Sequence, residues 1–320
     1  MILMYANHQL TKIDETNKSL LADAIWIDLI TPTRKEEKLI EEFLNIDVPT
    51  KKEMQEIEPS SRLYTDDDDL FMTATMVAQS GMPDLTTDPV TFILMQNKLV
   101  TVRYIEPQVF KSFVIRLSKL KTKDDDAKKI FVGLLEMTTD RLADILENIS
   151  HDFDKISYKI FHSEHKNNDK INYKSLLKSI GANGDLTTRV RESLVSFLRL
   201  TSFFEQAMGQ KIDSEMSSRL NILTKDIASL GDYASFISTK TNFLVEATLG
   251  MVNIEQNNII KIFSVAAVIF LPPTLIASIY GMNFEFMPEL HTRYGYYISI
   301  ILMVISAILP YLYFKKRKWL

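Results

Sequence analysis

The 320-residue chain contains no cysteine, which excludes disulfides and thiolate metal sites. Its first residues, MILMYANHQL, lack the basic patch, apolar core and cleavage site of a secretory signal, so the bulk of the chain is expected in the cytoplasm. It has no GxxxxGK[ST], HExxH or nucleophile-elbow motif. Nothing therefore points to an enzyme, and no organic cofactor is expected. Proline is missing between Pro107 and Pro272, an interval open to long helices.

Charge is also missing from two C-terminal runs, IFSVAAVIFLPPTLIASIY over 262–280 and YYISIILMVISAILPYLYF over 296–314. At 1.5 Å per residue each makes a helix of about 28 Å, close to the thickness of a bilayer core. From residue 261 onward six basic residues face two acidic ones, a net of +4. The chain total of −4 then leaves −8 on residues 1–260, an acidic body joined to a basic, apolar tail. Lys261 and the KKRK run at 315–318 flank the two spans, so the positive-inside bias places both termini in the cytoplasm. Beside a span, KKRK is expected to bind lipid headgroups rather than nucleic acid. Pro272 and Pro273 interrupt the first span, and Ser264, Thr274 and Ser278 put hydroxyls on it near helical spacing, as expected if one face lines water.

Upstream, MILMYA, AIWIDLI, LFMTATMVA, VTFILMQ and LVTVRYI are short β-like runs, with Asn97-Lys98 set between the last two as in a hairpin. Helical stretches fall at 33–45, with Thr31 as cap, and at 50–58. Apolar residues at helical spacing continue over 128–165. GANGD at 181–185 is the one expected break, after which a helix of about 94 residues and about 140 Å would run to Tyr280. Such a helix would carry movement from the cytoplasm into the membrane. The expected fold class is an α+β membrane protein: an α/β domain over 1–120, a helical hairpin region over 121–185, and a stalk helix over 186–260. The first span (261–280), an outer loop (281–295), the second span (296–314) and a basic tail (315–320) follow.

Between the spans stands YGMNFEFMPEL, with KKRKWL after the second, and this combination resembles the CorA family of bacterial magnesium transporters. The Gly281-Met282-Asn283 triplet is that family's hallmark, MPEL at 287–290 extends it, and WIDLITPT at 26–33 is similar to its proteobacterial branch. The resemblance implies a funnel-shaped homopentamer in the inner membrane, with five first spans around a pore and five copies of Asn283 ringing its outer mouth. Matched back from the triplet, the pore-facing positions would be Asn257, Ile260, Phe263, Ala267, Leu271, Thr274 and Ser278. Their spacings form one helical face, so the residue pattern and the resemblance agree.

The implied cargo is Mg²⁺, and Co²⁺ and Ni²⁺ of similar size could follow it. Mg²⁺ sheds its octahedral water shell reluctantly, and neutral amide and carbonyl oxygens can hydrogen-bond those waters without stripping them. Thr274 and Asn257 would serve further hydrated positions, and Ile260, Phe263 and Leu271 would be dewetting constrictions. Glu285 and Glu289 would concentrate cations at the mouth. The family also implies a regulatory Mg²⁺ bound between subunits, for which Asp66, Asp67, Asp68, Asp69 and Asp226 are the candidates. Asp124 to Asp126 read as solvated charge, and the HSEH run at 162–165 as a polar helix face rather than a Zn²⁺ site. A ZntB-like zinc transporter is the alternative, although that branch usually replaces the methionine held here by Met282. A membrane-anchored coiled-coil scaffold is a further one.

Overall fold

The computed structural model describes residues 1–6, 9–79, 85–119, 126–162, 172–283, 287–317 and 319. Glu285, Lys318, Asp124, Asp125 and residues 163–165 of HSEH lie outside the described residues. The chain divides into two compact units, Met1–Val245 and Glu246–Leu320.

The first unit opens with strands β1 (Ile2–Ala6), β2 (Gln9–Ile13) and β3 (Trp26–Ile30), then helices α1 (Arg34–Leu44), α2 (Lys51–Met54) and α3 (Pro59–Arg62). Strands β4 (Leu63–Asp66), β5 (Asp69–Gln79), β6 (Leu85–Leu94) and β7 (Leu99–Arg103) complete a seven-stranded sheet of order β2-β1-β3-β7-β6-β5-β4. Among the described residues only the β3–β7 pairing is parallel. The five expected strands are present, and β2 and β4 are added at the two edges. The hairpin turn between β6 and β7 closes where the Met95 amide donates to the Lys98 carbonyl at 2.9 Å.

Alternation along the strands gives the sheet two buried faces. Ile27 and Leu29 of β3 and Val100 and Val102 of β7 join a core with Ile40 of α1 and Met54 of α2. On the other face Trp26 meets Phe110 of α4 (Gln108–Lys119) at 6.0 Å between ring centres. There too Phe92 packs edge-on against Phe131 of α5 (Ala127–His162), which packs edge-on against Phe204 of α6 (Tyr173–Met208). The same face holds a buried polar chain. Trp26 Nε1 donates to Thr101 Oγ1, which donates to Asp28 Oδ1 at 2.7 Å, and the Arg103 fork grips both Asp28 oxygens. Parallel register sets Asp28 opposite Thr101, two positions before Arg103, which brings these groups together.

The short β4 leaves most of β5 without a strand neighbour on that side. In its place α6 presents two serines one turn apart: Ser193 Oγ donates to the Thr75 carbonyl at 2.7 Å, and Ser196 Oγ accepts from the Thr75 amide at 2.9 Å. A strand edge is thus satisfied by helix side chains.

Three sequence expectations are corrected here. Helix α1 is capped by Thr33, not Thr31: Thr33 and Glu36 form a reciprocal capping box, whereas Thr31 adopts a positive φ of 43°. The helix expected over 50–58 is the single turn α2, capped in the same way by Thr50 and Glu53. GANGD is no break, and no single helix runs from 186 to 280. α6 passes through 181–185, where Gly184 lies so close to Thr241 that an added Cβ would sit 3.0 Å from its methyl group. Packing against the next helix outweighs the local cost of glycine.

The chain turns instead at Gly209, whose φ of 47° and ψ of −119° suit only glycine. Asp213 then accepts from the Met216 amide at 2.7 Å and starts α7 (Ser214–Tyr280). Gly209→Ala is expected to cost about 1–3 kcal/mol through backbone strain. Gly231→Ala, in open helical surface, is expected to gain up to about 1 kcal/mol. Thermal unfolding of the two variants should therefore move in opposite directions.

Within the first unit, α5 and α7 run in the same direction with α6 antiparallel. The Glu136–Arg219 double hydrogen bond (3.0 and 2.8 Å), the Lys240–Asp154 bridge at 2.7 Å and the Phe161–Phe243 stack fix that register.

Candidate functional site

The second unit contains residues 246–280 of α7, a 3-10 turn at Pro288–His291 and helix α8 (Gly295–Lys316). Both helices are long and apolar enough to cross a membrane, yet only 6% of each apolar window is buried. A core helix of that length would be mostly covered, so these side chains need another apolar medium. The helices fold back on each other: Lys261 Nζ lies 5.6 Å from the ring centre of Trp319, which stacks on Phe314. The start of the first span is therefore beside the end of the second.

On the apolar part of α7 one strip is covered and the rest of the surface is exposed. Asn257, Ile260, Phe263, Ala267, Leu271, Thr274 and Ser278 are all exposed, Phe263 by 72% and Leu271 by 67%. Lys261, Val265, Ile269, Pro272, Ile276 and Tyr280 are partly covered, and Val265 is buried. The two sets are offset by two residues, about 200° around the helix, so they lie on opposite sides. Every sequence-predicted pore residue is on the uncovered side.

Pro272 and Pro273 stand inside α7 without ending it. They leave the carbonyls of Val268 and Ile269 without the usual amide donors. Thr274 Oγ1 donates to the Phe270 carbonyl at 2.7 Å, one residue past the two that the prolines release. With its proton committed to the helix, this hydroxyl presents only acceptor lone pairs outward. That suits the waters of a hydrated cation, which point hydrogens away from the metal.

At the end of α7 the Gly281 amide donates to the Ala277 carbonyl at 2.9 Å and the Met282 amide to Ile279 at 3.3 Å. Asn283 follows, exposed. Gly281 is not left-handed: among the described glycines only Gly209 has a positive φ. A side chain at 281 would crowd the Ala277 carbonyl at 3.1 Å. Glu289 falls in the 3-10 turn after the triplet.

In the first unit, Asp66 to Asp69 form the β4–β5 turn. Asp66 pairs with Asp69 across the hairpin, and Asp67 takes a φ of 50°. Burial, then Asp68, Asp66 and Asp67, push the Asp69 carboxyl above its ordinary range. Asp68 meets Lys211 at 3.4 Å, but both are so exposed that the pair contributes little. Asp226 is exposed on α7 and acts on the other acidic group of the unit. Burial first, then Glu136, Asp144 and Asp226, push Asp140 up, against Arg116. Among the described residues no three His, Cys, Asp or Glu side chains come together as a metal site. His162 stacks on Tyr158 at 4.9 Å, the role of an aromatic on a helix face.

The Asp28–Arg103 pair escaped the sequence reading, although a charged residue inside each of the apolar runs WIDLI and LVTVR was its visible signal.

A family profile described as CorA-like Mg2+ transporter protein matches residues 22–316. The magnesium transport protein CorA of Escherichia coli strain K12 is 34% identical over 314 residues, covering 98% of both chains. The complete structure of the CorA magnesium transporter from Methanocaldococcus jannaschii superposes with a TM-score of 0.78 at 20% identity, covering 100% of this chain and 98% of that one. The ZntB cytoplasmic domain from Vibrio parahaemolyticus is more distant, with a TM-score of 0.52 and 10% identity over 79% of this chain and 97% of that one.

Proposed function

This chain belongs to the CorA-like Mg2+ transporter family, and from that premise we propose that it conducts Mg²⁺ across a membrane through a pore lined by α7. The observation that carries the reading is the uncovered face of that helix, with Asn257, Thr274 and Ser278 interleaved among apolar residues. A lipid-facing side has no use for such a polar series, whereas a shared water path does. Five chains around one axis would close these faces into a pore, place Asn283 as a ring at its outer mouth, and make Ile260, Phe263 and Leu271 its narrow apolar stations.

Transport is proposed as uptake through the inner membrane, with both chain ends in the cytoplasm. An inside-negative potential gives a divalent ion roughly 4.6 kcal/mol per 100 mV. The Asn283 amide oxygens and the Thr274 acceptors hold the hydration shell, and Glu285 and Glu289 raise the local cation concentration. No chemical reaction is part of this scheme.

In vesicles holding the purified protein, an inside-negative potential should drive Mg²⁺ inward, and equimolar Zn²⁺ should not displace it. Preferential Zn²⁺ flux would favour the zinc reading, and no flux of either ion would favour the scaffold.

Regulation by internal Mg²⁺ is the finer part of the proposal. Among the described residues of one chain no three carboxylates converge at the Asp66–Asp69 turn, and in this proposal carboxylates of a second subunit, such as Asp226, complete the site. Changing all four turn aspartates to asparagine should raise flux at millimolar internal Mg²⁺ several-fold. Unaltered inhibition would reduce the turn to solvated charge.

A further inference from the structure

A cavity of about 730 Å³ opens between the outer face of α6 and the β4–β5 end of the sheet, within the first unit. Its charged lining is three guanidinium groups, from Arg62, Arg191 and Arg199, against the single carboxylate of Glu192. Such an excess of positive charge is unexpected on a body that carries −8 overall. Arg62 donates to the Glu56 carbonyl and to Thr75 Oγ1, which fixes it at the cavity wall. Arg191 and Arg199 make no ion pair or hydrogen bond with any described residue. Burial and the nearby Arg199 both disfavour the charged form of Arg62, so the two guanidiniums crowd each other.

Like charges held together without a counterion are relieved by an anion, and Arg is the side chain suited to planar, bidentate contacts with phosphate oxygens. Thr73 and Ser196 also line the cavity. Arg191 and Arg199 are two helical turns apart, about 12 Å along α6. Val195 separates them on the same helix face and Leu63 lies across, so an apolar strip connects two cationic ends. A bare phosphate would use one end alone. A cavity of this volume accommodates a ligand of nucleotide size.

We propose that this cavity binds a small phosphate-bearing metabolite of nucleoside diphosphate size. The phosphates lie on Arg62 and Arg199, and the less polar body lies over Val195 and Leu63. The acidic body repels a long polyanion, which leaves a compact one as the fitting ligand.

The test is calorimetric titration of the full-length protein in detergent, in EDTA so that no metal bridges the ligand, with ADP as probe. Saturable ADP binding is expected, weakened at least tenfold by Arg199→Ala and less by Arg199→Lys, with unfolding temperatures unchanged. Arg191→Ala should weaken ADP more than orthophosphate, since only the longer ligand reaches it. Orthophosphate binding as tightly as ADP would overturn the size assignment. Absence of saturable binding, or binding indifferent to both arginines, would overturn the site. A change in oligomeric state on Arg191→Ala or Arg199→Ala, without a change in ADP affinity, would assign the cavity to contact between copies of the chain and overturn the proposal too.

Discussion

Asn283→Ala is expected to abolish Mg²⁺ flux in reconstituted vesicles while leaving the assembled protein intact. Asn283 is exposed and hydrogen-bonds no described residue, so its truncation should cost the fold little. The cost falls on the ion. In a five-fold ring the change removes five amide acceptors at once, and at about 1 kcal/mol per net hydrogen bond the total approaches 5 kcal/mol, more than a thousandfold. Asn283→Gln keeps the amide but moves it by one methylene, and partial flux is expected. Asn283→Asp keeps the oxygens and adds charge, so tighter cation binding with slower turnover is expected. Unchanged flux in the alanine protein would remove the ring from the mechanism.

The second large effect is on stability. Asp28 and Arg103 are 4% and 3% exposed, and the carboxylate is held by three guanidinium hydrogen bonds and one hydroxyl. Asp28→Ala leaves the Arg103 charge buried without its counterion, although that guanidinium keeps the Ile105 carbonyl and the Phe110 ring. A loss of about 3–5 kcal/mol is expected, seen as an earlier thermal transition of the first unit. Replacing both partners, Asp28→Leu with Arg103→Met, should recover most of it, because the desolvation cost of both charges disappears together. If the double variant is as unstable as the single one, the pair does more than neutralise itself.

Composition and spacing exposed the parts of this protein that a membrane dictates. The two uncharged runs, their basic flanks and the triplet between them were legible because a bilayer constrains length and charge more tightly than a packed core does. Elsewhere local signals competed. Two glycines around Asn183 read as a break, yet the helix continues, since Gly184 is there for the close approach of Thr241. The true turn had its own signal, Gly209 followed by the cap Asp213, but one glycine spoke less loudly than two. Thr33 and Glu36 carried a complete capping box that Thr31 obscured. Strand β4 was hidden because its last residue belongs to an acidic run, and only pairing with β5 makes it a strand. Asn283 stood out by its position between the spans, whereas among the described residues of one chain no metal site assembles around Asp66 to Asp69.

The serine clip on β5 sets an order of events during synthesis. Thr75 leaves the ribosome 118 residues ahead of Ser193. At about 5–20 residues per second, roughly 6–24 s pass before the helix that covers this strand exists. For that interval the nascent sheet displays open backbone donors and acceptors to any passing strand. Slowing translation between the sheet and α6, or losing both serines, should therefore show first as aggregation of newly made chains, before any change in the properties of the finished protein.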